Sequence, residues 1–117
     1  MKKYLEIYVG SRGCIEGVEI KIYKDIKKVL EIESKENCKE IEEDEEMDEE
    51  YKEEVLDYYS WGVDLDGNYF LGLGDEEVKI YVDLESNKFI EWREKNNIDL
   101  EKDVNKIEDV VIKELIN

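Results

Sequence analysis

The chemistry open to this chain is that of carboxylates. Thirty-four Asp and Glu stand against 17 Lys and Arg, with no His. Without imidazole there is no Ser–His–Asp or Cys–His nucleophile and no His-ligated metal site. Two carboxylates with split pKa values can divide acid and base roles, but no spacing among these singles out a pair. The sequence predicts no catalytic residue and no enzyme. One stretch, Asp64-Leu65-Asp66-Gly67-Asn68, places oxygen ligands as in a calcium loop, with Asp75 at the twelfth position. The bend of such a loop needs Gly at its sixth position, where this chain has Tyr69,. A turn built on Asp-Gly is the simpler reading, so no metal and no cofactor are expected. Gly10-Ser11-Arg12-Gly13-Cys14 lacks the spacing of a phosphate loop and reads as a hairpin turn,. Cys14 has no His to lower its pKa, which favours a buried or inert thiol.

The distribution of charge is more informative. Residues 1–34 carry a net +1, residues 35–57 a net −10 and residues 58–117 a net −8. More than half of the total of −17 lies in a fifth of the chain. The candidate partner-binding residues are Glu42, Glu43, Asp44, Glu45, Glu46, Asp48, Glu49, Glu50, Glu53 and Glu54. Were residues 35–57 one helix, they would form a rod about 35 Å long with a charge every ~3.5 Å. That is close to the ~3.4 Å per charge of one strand of duplex DNA. Such a rod suits a basic groove evolved for phosphate, with Met47, Tyr51 and Tyr58 available for stacking. The same run also reads as a solvated face. A surface this negative excludes direct nucleic-acid binding through counterion release and docking on anionic lipid.

The rest of the chain must position that segment. With 117 residues, one domain spanning 1–117 is expected,. Alternation at Leu5, Ile7 and Val9 and at Val18, Ile20 and Ile22 predicts a hairpin. Residues 26–33 suit a helix or a third strand, and 34–43 read as loop or frayed helix. Like charges at Glu42/Glu46, Glu45/Glu49 and Glu46/Glu50 each oppose helix by ~0.2–0.5 kcal/mol. Tyr51, Val55 and Tyr58 predict a docked helix over 47–59. A second hairpin is expected over 61–73, with Trp61, Val63 and Leu65 facing inward. Residues 78–84 alternate, and a turn at 85–88 returns the chain as a strand through Phe89 to Trp92. The stripe Val104, Ile107, Val111 and Leu115, with Asp99 as N-cap, predicts a helix over 99–116. The expected architecture is α+β: an antiparallel sheet of about five to seven strands, an acidic central helix and a C-terminal amphipathic helix. Two cysteines, no leader-like segment and no long apolar run point to the cytoplasm of a host cell.

The acid run from Glu40 to Glu54 and the small sheet around it resemble small acidic anti-CRISPR proteins and other nucleic-acid mimics of AT-rich bacteria and their phages. That resemblance implies an inhibitor that fills the basic groove of a nuclease complex, with an RNA-guided CRISPR effector as first target. The stretch 81–92 is similar to the strand–turn–strand of several toxin-immunity families, which implies a cognate toxin nuclease instead. Either way the expected partner is a basic, nucleic-acid-handling protein. A third reading is an adaptor or structural subunit docking through Tyr4, Tyr8 and Tyr23, a face that would either close a homodimer or pack under a helix.

Overall fold

The computed structural model describes residues 1–116, and the fold is α+β. The elements in chain order are β1 (Lys2–Val9), β2 (Ile15–Tyr23), α1 (Ile26–Glu42), α2 (Glu49–Asp57), β3 (Trp61–Val63), β4 (Tyr69–Gly74), β5 (Glu77–Asp83), α3 (Asn87–Asn96), α4 (Leu100–Asp103) and α5 (Asp109–Ile116). The five strands form one antiparallel sheet in the order β2-β1-β5-β4-β3. No helix among the described residues is long and apolar enough to cross a membrane.

The sheet is covered on both faces, and period-two alternation sorts its side chains between them. Leu5, Ile7, Val18 and Val82 pack on one face against Phe89, Trp92, Leu100, Ile112 and Leu115 from α3–α5. Tyr4, Leu71 and Tyr81 pack on the other against Ile26 and Leu30 of α1. β1 is flanked by strands on both edges and by helices on both faces, so Tyr4, Leu5, Glu6 and Ile7 are all buried. Tyr4 and Tyr23 therefore pack with α1, while Tyr8 lines an open groove with Glu6, Glu19, Lys21 and Lys79. Tyr4 meets the tilted ring of Tyr23 at 6.1 Å and that of Tyr69 edge-on at 6.2 Å, and Tyr23 meets Tyr81 edge-on at 5.9 Å. Tyr8 donates to Glu77 at 3.1 Å.

Burial pushes the Tyr81 hydroxyl far above the ordinary range, helped by the negative charge of Glu6, and burial also raises Tyr4. A raised folded-state pKa gives stability that is complete below the unfolded value near 10 and falls as pH rises past it. Tyr81, with the large shift, should steepen the loss of stability above pH 10 by up to about 1.4 kcal/mol per pH unit, and Tyr4 acts in the same direction,. Urea denaturation between neutral pH and pH 11 checks this, with Tyr81→Phe expected to flatten the slope.

Four local expectations are corrected. Residues 34–43 are neither loop nor frayed end, because α1 runs unbroken to Glu42. Asp25 caps it by accepting from the Lys28 N–H, and the inward stripe Ile26, Leu30, Ser34, Cys38 and Ile41 continues through small polar side chains. Residues 89–92 are helix rather than strand. Ser86 caps α3 by accepting from Phe89 N–H at 3.3 Å, and Phe89 and Trp92, one turn apart, are both buried. Segment 81–92 is thus strand–turn–helix, and the likeness to immunity families that rested on it falls away.

The helix expected over 99–116 starts where the Asp99 cap places it, Asp99 accepting from Glu101 N–H at 3.0 Å. It is broken by a 3-10 turn at Val104–Lys106 and extended backbone at Ile107. A straight helix would hold Leu100 and Leu115 about 22 Å apart. The break folds both into the same core cluster, with Trp92 Nε1 donating to the Val111 carbonyl at 2.7 Å. Finally, Leu65 is fully exposed and Val63 half exposed, so of that trio only Trp61 packs inward.

Candidate functional site

The acidic segment is a helical arm rather than a rod. α1 and α2 pack on each other, joined by a non-helical connection over 43–48. α1 buries only Ile26 and Leu30, both in its first half, and α2 buries no residue. The arm is fastened at its base, where Ser34 Oγ donates to the Tyr59 carbonyl. The chain leaving α2 then lies along β4, with Gly72 N–H donating to Ser60 O at 2.8 Å and Gly74 N–H to Tyr58 O at 3.3 Å. A Cβ on Gly72 would overlap the Tyr58 carbonyl, so only glycine permits this approach. From Ser34 to Glu42 the helix rises about 12 Å. The long axis of the molecule is 52 Å, and its radius of gyration of 15.7 Å exceeds the ~13 Å of a compact chain this long,.

At the tip, Asp44 Oδ1 accepts from Glu46 N–H at 3.0 Å, which turns the connection. Lys52 Nζ reaches back to the Glu42 carbonyl at 3.0 Å and satisfies one open acceptor at the end of α1,. Val55, Leu56, Tyr58 and Tyr59 are half-buried. Tyr51 is the exception, 57% exposed rather than docked. Between the arm and its base, burial and then the charge of Glu42 push the Cys38 thiol up, while a hydrogen bond with Ser34 draws it down. The cysteines are unpaired, and Cys14 is exposed rather than buried.

Of the ten candidate residues, Glu42, Glu43, Glu45, Glu46, Asp48, Glu49, Glu50, Glu53 and Glu54 are exposed, and Asp44 is half-buried. The ion pairs among the described residues engage Asp83, Glu19, Glu31, Glu6, Asp66 and Glu114 instead. Among the described residues none of the ten carboxylates is in an ion pair, and Lys52 is the one cation set among them. Their placement also opposes the helix they end. α1 opens with Lys27 and Lys28 and closes at Glu40, Glu42 and Glu43, against its macrodipole, and each such misplaced charge costs about 0.3–1 kcal/mol,. Asp48 at the N-cap of α2 and Glu49 and Glu50 in its first turn sit favourably,.

The arm also carries acids outside the chosen run. Glu36 and Glu40, one turn apart on α1, and Asp57 at the end of α2 are exposed. Their signal in the sequence was the four-residue spacing, hidden by reading 34–43 as loop.

The other candidate loops are structural. Asp64 Oδ1 accepts from Asp66 and Asn68 N–H at 2.9 Å each, and Lys88 pairs with Asp66 at 3.0 Å. Among the described residues, no group of three or more His, Cys, Asp or Glu side chains could hold a metal ion. Gly10 to Cys14 closes a turn with Gly10 N–H donating to Cys14 O at 2.8 Å. Compared with known proteins, the chain matches no family model, no curated protein and no solved structure.

Proposed function

We propose that the chain is a non-catalytic inhibitor whose acidic arm enters the basic, nucleic-acid-binding groove of a nuclease and excludes the nucleic acid. The supporting observation is the set of ten carboxylates, nine of them exposed and none ion-paired among the described residues, carried on an arm fastened to the sheet. Grooves that hold phosphate are lined with Lys and Arg, and Arg binds carboxylate with the same planar, bidentate geometry it uses for phosphate. Because the acids lie on two adjoining helix ends and their connection, the mimicry is of a dense anionic patch. It does not follow the linear charge spacing of a single strand. Exposed Tyr51 offers a ring face to a groove that stacks bases,.

An RNA-guided nuclease is the first target on this reading, because such enzymes hold a guide–target duplex in a positively charged channel. The fully formed arm enters that channel with little ordering of its own backbone, which favours tight association. A competition titration tests the proposal: the chain displaces labelled target DNA from a purified guide-loaded nuclease. Failure to displace DNA from any member of a panel of such enzymes overturns it.

A further inference from the structure

The two edges of the sheet differ sharply. β3 is three residues long, whereas β2 runs for nine and lies outermost in the sheet, with Ile15–Val18 bordering the segment 104–109. Long unpaired edges are templates for another strand, and proteins usually blunt them. The side chains of β2 follow a different pattern. Read outward from Ile20, Glu19 mirrors Lys21, Val18 mirrors Ile22, Gly17 mirrors Tyr23 and Glu16 mirrors Lys24. We propose that this edge is a homodimer interface, with β2 pairing antiparallel to β2 of a second copy about a two-fold axis through Ile20.

In that register each Glu19 faces the second copy's Lys21 and each Lys21 its Glu19, so both charges at the centre of the edge meet their opposites. Within one chain Lys21 is left to pair with Glu19 two residues away, at 2.9 Å, with both side chains largely exposed. The apolar residues complete the argument. Leu5 lies opposite Ile20 and Ile7 opposite Val18, so Val18, Ile20 and Ile22 share the face that carries the main core. Val18 is buried there, but Ile20 is 36% and Ile22 55% exposed at the rim. Pairing sets each Ile22 beside the second copy's Val18 and joins the two cores across the axis. On the opposite face Gly17 is exposed and carries no side chain, and Tyr23 lies inward against Tyr4 and Tyr81, so neither crowds the edge.

The charge of the whole chain does not oppose this contact strongly. Residues 1–34 carry a net of only +1, and the acidic arm is rooted on β4, near the far edge. Five strands separate the two edges by about 19 Å. Dimerisation thus leaves both arms free and stands independently of what they bind.

Sedimentation equilibrium with a charge swap tests the interface. Wild-type chain dimerises, and Glu19→Lys or Lys21→Glu alone weakens the dimer by roughly tenfold, since each puts two like-charged pairs across the axis. An equimolar mixture of the two variants pairs as a heterodimer, and the double swap E19K/K21E restores the homodimer. Circular dichroism confirms that each variant is folded. A wild-type chain that stays monomeric up to its solubility limit overturns the proposal. So does a dimer that either reversal leaves unchanged, or one that the mixture fails to restore.

Discussion

Reversing Glu42, Glu43, Glu45 and Glu46 to Lys is expected to abolish inhibition while making the protein more stable. The variant takes the net charge of residues 35–57 from −10 to −2. Each reversal replaces an attractive contact in a basic groove with a repulsive one, which by itself costs more than a kcal/mol. Four together should weaken binding by at least about a hundredfold, read as loss of DNA displacement. Stability moves the other way. Glu42 ends α1 and Glu43 caps it, both where the macrodipole favours cations,. The new lysines also stand among Asp44, Asp48, Glu49 and Glu50 as opposite rather than like charges,. A gain of about 1 kcal/mol is expected, or ~5 °C in melting temperature for a chain of this size. Thermal denaturation beside the displacement assay checks both signs. A variant that loses binding because it has unfolded would show the reverse, a lower melting temperature.

The second large effect is structural. Gly72→Ala should destabilise the fold by about 3 kcal/mol, the upper end for forcing volume into a packed site. The new methyl group meets the Tyr58 carbonyl, a backbone atom that cannot rotate away. Relief requires moving residues 58–60 off β4, which breaks the bonds from Gly72 N–H to Ser60 O and from Gly74 N–H to Tyr58 O. These bonds root the arm. A drop of roughly 15 °C in melting temperature follows at ~5 °C per kcal/mol. At temperatures where the variant is still folded, DNA displacement should weaken as well, because the arm has lost its anchor. Gly62→Ala is a fitting comparison. Its new methyl meets only the tip of the Phe70 ring, which can shift, so its effect should be smaller.

Much of the sheet is legible in the sequence. Alternation at Leu5, Ile7 and Val18 marks the first hairpin, and 78–84 marks β5, because side-chain period two survives wherever one face is buried. Asp99 announces a helix start through a side chain that can accept from the first turn. Errors arise where tertiary contacts override local pattern. Ser34 and Cys38 carry no apolar signal, yet both are half-buried on the stripe of α1, and Ser34 Oγ donates to the Tyr59 carbonyl. Phe89, Ile90, Glu91 and Trp92 fit alternation as well as a helical turn, and the Ser86 cap decides between them. Leu100 and Leu115 share a helical stripe, but the core requires them closer together than a straight helix allows.

The candidate site divides in the same way. The ten carboxylates are visible as a run, and their crowding is plain from composition alone. Their arrangement as an arm is not, since it depends on α2 packing back on α1 and on Gly72 admitting Tyr58. The homodimer edge is also written in the chain, as the mirrored order of residues 16–24. It acquires meaning only once β2 is known to lie outermost in the sheet.

The account stands or falls on whether the arm occupies a site otherwise filled by nucleic acid. Competition between the chain and labelled target DNA for a guide-loaded nuclease, followed across a salt series, measures this most directly. The account predicts mutually exclusive binding that weakens as salt screens the charges, with the four-Lys variant unable to compete. Simultaneous binding of chain and DNA to the enzyme, or competition indifferent to both salt and charge reversal, would contradict it.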